Sequence, residues 1–154
     1  VRGRGVIRGY WRLPDRAATD FRRDGYFITG DVATMDATGR IAIVGRARDL
    51  IISGGFNVYP REIELVIDAL PGVDESAVIG VPHPDFGEAV VAVVVPSVGA
   101  VLDESQLVSA LQNSLARFKQ PKRVFVVDAL PRNAMAKVQK AALREQYRDA
   151  FAPI

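Results

Sequence analysis

"PREIELVIDALPGVDESAVIGVPHPDFGEAVVAVVVP", from Pro60 to Pro96, changes its apolar period halfway along. Up to Leu70 the apolar residues Ile63, Val66, Ile67 and Leu70 recur every three or four positions, the spacing of one buried helix face. Pro60 suits the first turn of that helix, where a backbone N–H has no partner to lose. "LPGVDES" then stops the helix, and "SAVIGVP" and "EAVVAVVVP" read as strands. Further on, Asp103 and Ser105 open a second helix with Leu107, Leu111 and Leu115 on one stripe. "RVFVVDAL", Arg123 to Leu130, predicts a third strand, and "KAALREQYRDAF" a closing helix. Residues 50–154 are therefore expected to form an α+β domain of about a hundred residues, a common size, with a central sheet flanked by helices.

Upstream the composition differs. Residues 1–45 are Gly-rich, with short β-like runs "GVIRGYW", "GYFITGD" and "GRIAIVG". "DATG", Asp36 to Gly39, separates the last two as hairpin punctuation. This segment has too little apolar material for a core of its own, so it is expected to be the edge of a larger β-domain. The change at "GRARDLIISGGFN" places a hinge at residues 46–49. The chain starts at Val1 inside strand-like sequence, which reads as part of a longer protein.

The totals narrow the function. Of 154 residues, 49% are apolar and 25% charged, with a net charge of only +2, the balance of a globular protein with little to recommend nucleic acid as a partner. No cysteine is present and His83 is the only histidine. A thiolate site or an imidazole-built metal site has no material. No apolar run approaches a membrane span and no signal peptide is visible, so the expected location is cytoplasmic.

Several short motifs could carry chemistry, and each has an ordinary reading beside it. Asp31 follows Gly30 at the end of "GYFITGD"; a carboxylate there can accept two hydrogen bonds from a ribose diol, but by itself it reads as a turn aspartate. Arg46, Arg48 and Asp49 could serve a phosphate or a hinge, or form exposed ion pairs. Ser53, Gly54 and Gly55 allow a thin ligand to approach the backbone, or make a simple turn. Arg117, Lys119, Lys122 and Arg123 surround Phe118, which suits a phosphate-bearing ligand with a ring to stack as well as it suits a solvated helix end. "LPRNAMAKVQK", Leu130 to Lys140, is a basic loop between an apolar strand and a helix. "VRGRGVIRG" lacks the spacing of a dinucleotide fingerprint, and His83 sits between two prolines with no ligand partner in the sequence around it.

The order of the motifs is more specific than any one of them. "GYWRLPDRAATDFRRDGYFITGD", "GRIAIVGRARDLIISGGFNVYPREIE", "AVIGVPHPDFGEAVVAVVV" and "FKQPKRVFVVDALPRNAMAKVQK" resemble the C-terminal part of an acyl-CoA synthetase of the adenylate-forming superfamily. The wording is most similar to that of bacterial malonyl-CoA synthetases. The resemblance implies a small C-terminal lid domain that swings about a hinge, and a two-step reaction. A carboxylate attacks the α-phosphate of Mg2+-bound ATP, and the thiol of CoA then displaces AMP from the acyl-adenylate. Lys137 matches the family's adenylation lysine, Asp31 the aspartate on the ATP ribose, and Arg46 the arginine that assists it. Arg48 stands at the hinge, in place of the usual Asp or Lys. Ser53, Gly54 and Gly55 match the loop of the pantetheine tunnel. Phe86, Phe118, Lys119 and Lys122 match positions near the CoA nucleotide, with Gln120 replacing a cation. Ala136 stands where the family has Gly. The loop around Lys137 is expected to be mobile, with Arg132 and Lys140 as surface cations.

By the same resemblance the phosphate loop, the acid pocket and the Mg2+ ligands belong to an N-terminal domain absent from these residues, so the chain alone is expected to be inactive. Two other readings stay open. One is an adenylation domain that loads a carrier-protein pantetheine, and the other a stand-alone, non-catalytic binding module.

Overall fold

The computed structural model describes residues 1–152 and divides into two compact units, Val1–Arg48 and Asp49–Ile154. In the first, helix α1 (Pro14–Asp20) precedes a hairpin of β1 (Asp31–Met35) and β2 (Ile41–Arg46). The Asp36 carboxylate holds the turn by accepting from the backbone N–H of Thr38 and Arg40 and from the Thr38 hydroxyl. The turn at "DATG" and the strand in "GRIAIVG" stand where the sequence places them, and only the first strand lies later, at Asp31–Met35 instead of across "GYFITGD". Of that stretch Phe27 forms a bridge with Phe21 and Asp31 opens β1, and "GVIRGYW" forms turns. Helix α1 escaped the sequence reading because its seven residues bury nothing. No residue of 1–48 is buried, and Met35, Ile41 and Ile43 are each about two-thirds exposed.

The second unit is a three-layer sandwich. Short strands β3 (Ile51–Ser53) and β4 (Phe56–Val58) form a hairpin, followed by α2 (Pro60–Asp68). Two long strands, β5 (Val73–His83) and β6 (Gly87–Pro96), pair antiparallel along their length. On its other side β6 meets β3 at Ser53 and then runs parallel to β7 (Arg123–Val126). Helices α3 (Glu104–Gln112) and α4 (Lys140–Gln146) complete the unit. Val90, Ala92 and Val94 face the layer of α2 and α3 with Ile63, Ile67, Leu107 and Leu111. Val91, Val93 and Val95 face α4 with Leu130 and Leu143. "AVVAVVV" is an unbroken apolar run because both of its faces are covered.

The helix faces read from spacing are the ones buried. Ile63 and Ile67 are sealed, and Val66 and Leu70 pack against them. Asp103 caps α3 by accepting from the Gln106 N–H at 3.0 Å. Leu115 lies past the end of α3 and still closes the core.

Candidate functional site

Asp31 and Arg46, singled out separately, are cross-strand partners in the hairpin of the first unit. The Arg46 guanidinium lies 2.9 Å from the Asp31 carboxylate and also donates to the Thr29 carbonyl. Cross-strand pairing puts both side chains on one face of the ribbon. The pair is oriented before any ligand arrives. Arg48 is exposed in the 3-10 turn Ala47–Asp49 and has no ion-pair partner among the described residues. The boundary between the two units falls directly after it. Asp49, by contrast, is held by Arg144 of α4 at 3.0 Å.

The turn between β3 and β4 carries the second group. Gly54 and Gly55 both have positive φ, +56° and +82°, a region open to Gly at little cost. The Gly54 N–H donates to the Phe86 carbonyl at 2.9 Å, tying this turn to the β5–β6 turn. Beside it opens a cavity of about 380 Å³ lined by Ser53, Gly54, Phe56, Phe86, Arg117, Phe118 and Lys122. Phe56 stacks on Phe118 with centroids 4.7 Å apart, and the Lys122 ammonium lies 5.2 Å over the Phe86 ring. Aromatic faces with cations at the rim suit a planar, phosphate-bearing ligand.

The cavity's membership differs in part from the set read off the sequence. Lys119 is paired with Glu62 at 2.5 Å and does not line it. Gln120 donates to the Leu115 and Gln112 carbonyls and so caps the end of α3. Arg117, read from the sequence as one of the cations around Phe118, lines the cavity, and Phe56 takes a place that the sequence reading did not give it. Phe56 shares its strand face with the buried Val58, and a three-residue strand is too short for alternation to have marked it. His83 ends β5 with its ring between Phe86 and Phe151.

The third group is the loop between β7 and α4. It is a closed ring. The Asn133 N–H donates to the Lys137 carbonyl, Gln139 N–H to Pro131, and Arg132 bridges Val138. Inside the ring the Asn133 side-chain oxygen accepts from the N–H groups of Met135 and Lys137, both at 3.0 Å. Lys137 stands exposed near the tip, and its ammonium has no partner among the described residues. Ala136 has φ +59°, the glycine-like geometry that its place in the motif suggests.

The flanking cations of this loop are engaged, Arg132 at the surface as expected and Lys140 partly buried. Arg132 donates to the Ala136 carbonyl at 2.6 Å and pairs with Glu75 of β5. Lys140 reaches Glu64, which is 6% exposed, at 2.5 Å. The same Glu64 oxygen accepts from the Val78 N–H, so one carboxylate joins α2, β5 and the start of α4. With these ties the loop is a hydrogen-bonded ring.

Residues 62–137 match the family model described as the AMP-binding enzyme C-terminal domain. The chain belongs to this family. A feruloyl-CoA synthase from an Amycolatopsis species is 44% identical over 147 residues, covering 96% of this chain and 30% of its own length. The long-chain-fatty-acid–CoA ligase FadD13 of Mycobacterium tuberculosis is 46% identical, covering 92% and 28%. The crystal structure of ATP-bound MatB from Rhodopseudomonas palustris is 57% identical across 97% of this chain and 30% of its own, with a TM-score of 0.87. The chain thus spans about 30% of the length of the relatives it matches.

Proposed function

We propose that this chain is the C-terminal part of an ATP-dependent acyl-CoA synthetase. The observation that carries the proposal is Lys137, an unpartnered ammonium presented at the tip of a hydrogen-bonded ring. Relatives named as CoA ligases and an ATP-bound neighbour support it.

In this reading the Lys137 ammonium meets the attacking carboxylate and the α-phosphate of ATP together. There it holds two anions in line and stabilises the charge that builds as the phosphoanhydride breaks. A preorganised cation in a water-poor site is worth several kcal/mol to such a step. Asp31 accepts from the ribose hydroxyls while Arg46 fixes its carboxylate. The cavity beside the Gly54–Gly55 turn receives CoA in the second step: Phe86 and Phe118 offer faces to the adenine, and Arg117 and Lys122 offer charge to its phosphates. Ser53 and the two glycines leave room for the pantetheine arm. Lys119 takes part only if it leaves Glu62. Arg48 is the hinge residue. Among the described residues no three His, Asp or Glu side chains gather as a metal site, so no step is assigned to Mg2+ through this chain.

Malonate or a related small acid is the proposed substrate, on the phrasing shared with malonyl-CoA synthetases. The test is the full-length enzyme with ATP, CoA and a panel of malonate, methylmalonate, aromatic and long-chain acids, followed by mass spectrometry. Malonyl-CoA with AMP and pyrophosphate is the expected product set. A different thioester removes the substrate and keeps the reaction. Acyl transfer only to a carrier-protein pantetheine would favour the adenylation-domain reading. Phe86→Ala should raise the KM for CoA about ten-fold, the loss of one stacking contact, and leave pyrophosphate release unchanged.

A further inference from the structure

We infer that Arg132 is a positioning residue for Lys137, a role that rests on the reading of Lys137 as the adenylation lysine. Arg132 and Lys137 are partners in neither charge nor sequence spacing. What joins them is the peptide between Ala136 and Lys137. Its carbonyl, on Ala136, accepts from one guanidinium nitrogen at 2.6 Å, while another nitrogen is held by Glu75 of β5. The N–H of the same peptide is held by the Asn133 side chain at 3.0 Å. Both ends of the peptide unit that aims Lys137 are therefore gripped by side chains, and one grip is braced against the long central hairpin.

The reason for the grip lies one residue earlier. Ala136 has φ +59°, a conformation that an L-residue other than Gly adopts at a cost. Left to itself, this backbone would relax toward negative φ, turning the Ala136–Lys137 peptide and swinging the lysine away from its line. The planar fork of Arg132 can reach the carbonyl and Glu75 at once. A lysine at the same place is a single point charge and cannot hold both in that fixed geometry. A displacement of the order of 1 Å at a reacting group can cost about 100-fold in rate, so an exposed contact can matter to catalysis while mattering little to stability.

The experiment uses the full-length enzyme and two half-reactions: pyrophosphate release from acid and ATP, and thioester formation from preformed acyl-adenylate and CoA. Arg132→Lys and Arg132→Gln should each slow the first by about ten-fold or more and leave the second within about two-fold, with kcat changed and KM for ATP held. Introducing Ala136→Gly into Arg132→Gln should recover part of the lost rate, because Gly holds the positive φ without the clamp. Glu75→Gln, which leaves the guanidinium in place but loosens its brace, should give a smaller loss in the first half-reaction. Lys137→Ala is the control. If it abolishes the first half-reaction while Arg132→Lys and Arg132→Gln behave as the parent, the positioning role is wrong. Equal slowing of both half-reactions, with a lowered melting temperature, would also overturn it by showing a merely structural arginine. If Lys137→Ala itself releases pyrophosphate normally, the underlying reading of the lysine has failed.

Discussion

Ala136 is the residue at which local geometry and proposed chemistry meet. Its φ of +59° puts an alanine where a glycine rests without strain, and the neighbouring Arg132 and Asn133 contacts hold it there. Ala136→Gly should stabilise the unit by about 0.5–1 kcal/mol, the relief of left-handed strain less the entropy a glycine adds to the unfolded chain. Thermal denaturation checks this, and the adenylation rate should rise slightly with it. A variant less stable than the parent would mean that the methyl contributes packing not evident at this exposed site. The motif itself made this residue legible, since a family glycine points to positive φ. The contacts of Arg132 were not legible, because nothing in "LPRNAMAKVQK" says that Glu75, 57 positions away, lies within reach.

At the scale of elements, two small features carry much of the order. Glu64 shares the buried face of α2 with Pro60, Ile63 and Ile67, although its charge alone argues for solvent. It is buried because Lys140 and the Val78 N–H satisfy it. Glu64→Ala strands the Lys140 ammonium beside the core and should cost about 3 kcal/mol, in line with breaking a buried pair from one side. A loss under about 1 kcal/mol in denaturant melts would place the pair among ordinary surface bridges. The cap of α3 gives a pH signature instead. The Ser105 hydroxyl and then the Gln106 N–H hold the Asp103 carboxyl below its usual value. A lowered folded value means that the cap's contribution is present above the ordinary aspartate pKa near 4 and fades as pH falls through the lowered one. Asp103→Asn should remove that portion of the acid destabilisation, so the stability difference between parent and variant shrinks as pH drops from 5 to below 3. Melts at several pH values test it, and a constant difference contradicts it. The strands were legible in apolar runs, whereas the 3-residue β3 and β4 were too short to carry a period.

For the whole molecule, the two units differ in kind. The second has a core on both faces of its sheet, and the first buries none of its residues. Periodicity could reveal the former because each helix and strand there spends its apolar residues on one shared interior. In the first unit it placed the first strand of the hairpin too early, since strands with little to bury have no face to mark. The family resemblance, rather than residue types taken singly, singled out Asp31, Arg46, Gly54, Phe86 and Lys137 as candidates. Which cations face the cavity depended on pairings such as Lys119 with Glu62, which only the fold brings together. If the missing machinery lies in a larger N-terminal domain, the 154-residue chain alone should release no pyrophosphate from ATP and any acid, and turnover by the isolated chain would refute that division of labour. The most direct measurement of all is the full-length enzyme with Lys137→Ala, assayed for pyrophosphate release and, separately, for thioester formation from preformed acyl-adenylate. Loss of the first with survival of the second is the expected result. Survival of both would contradict the assignment of Lys137 to adenylation.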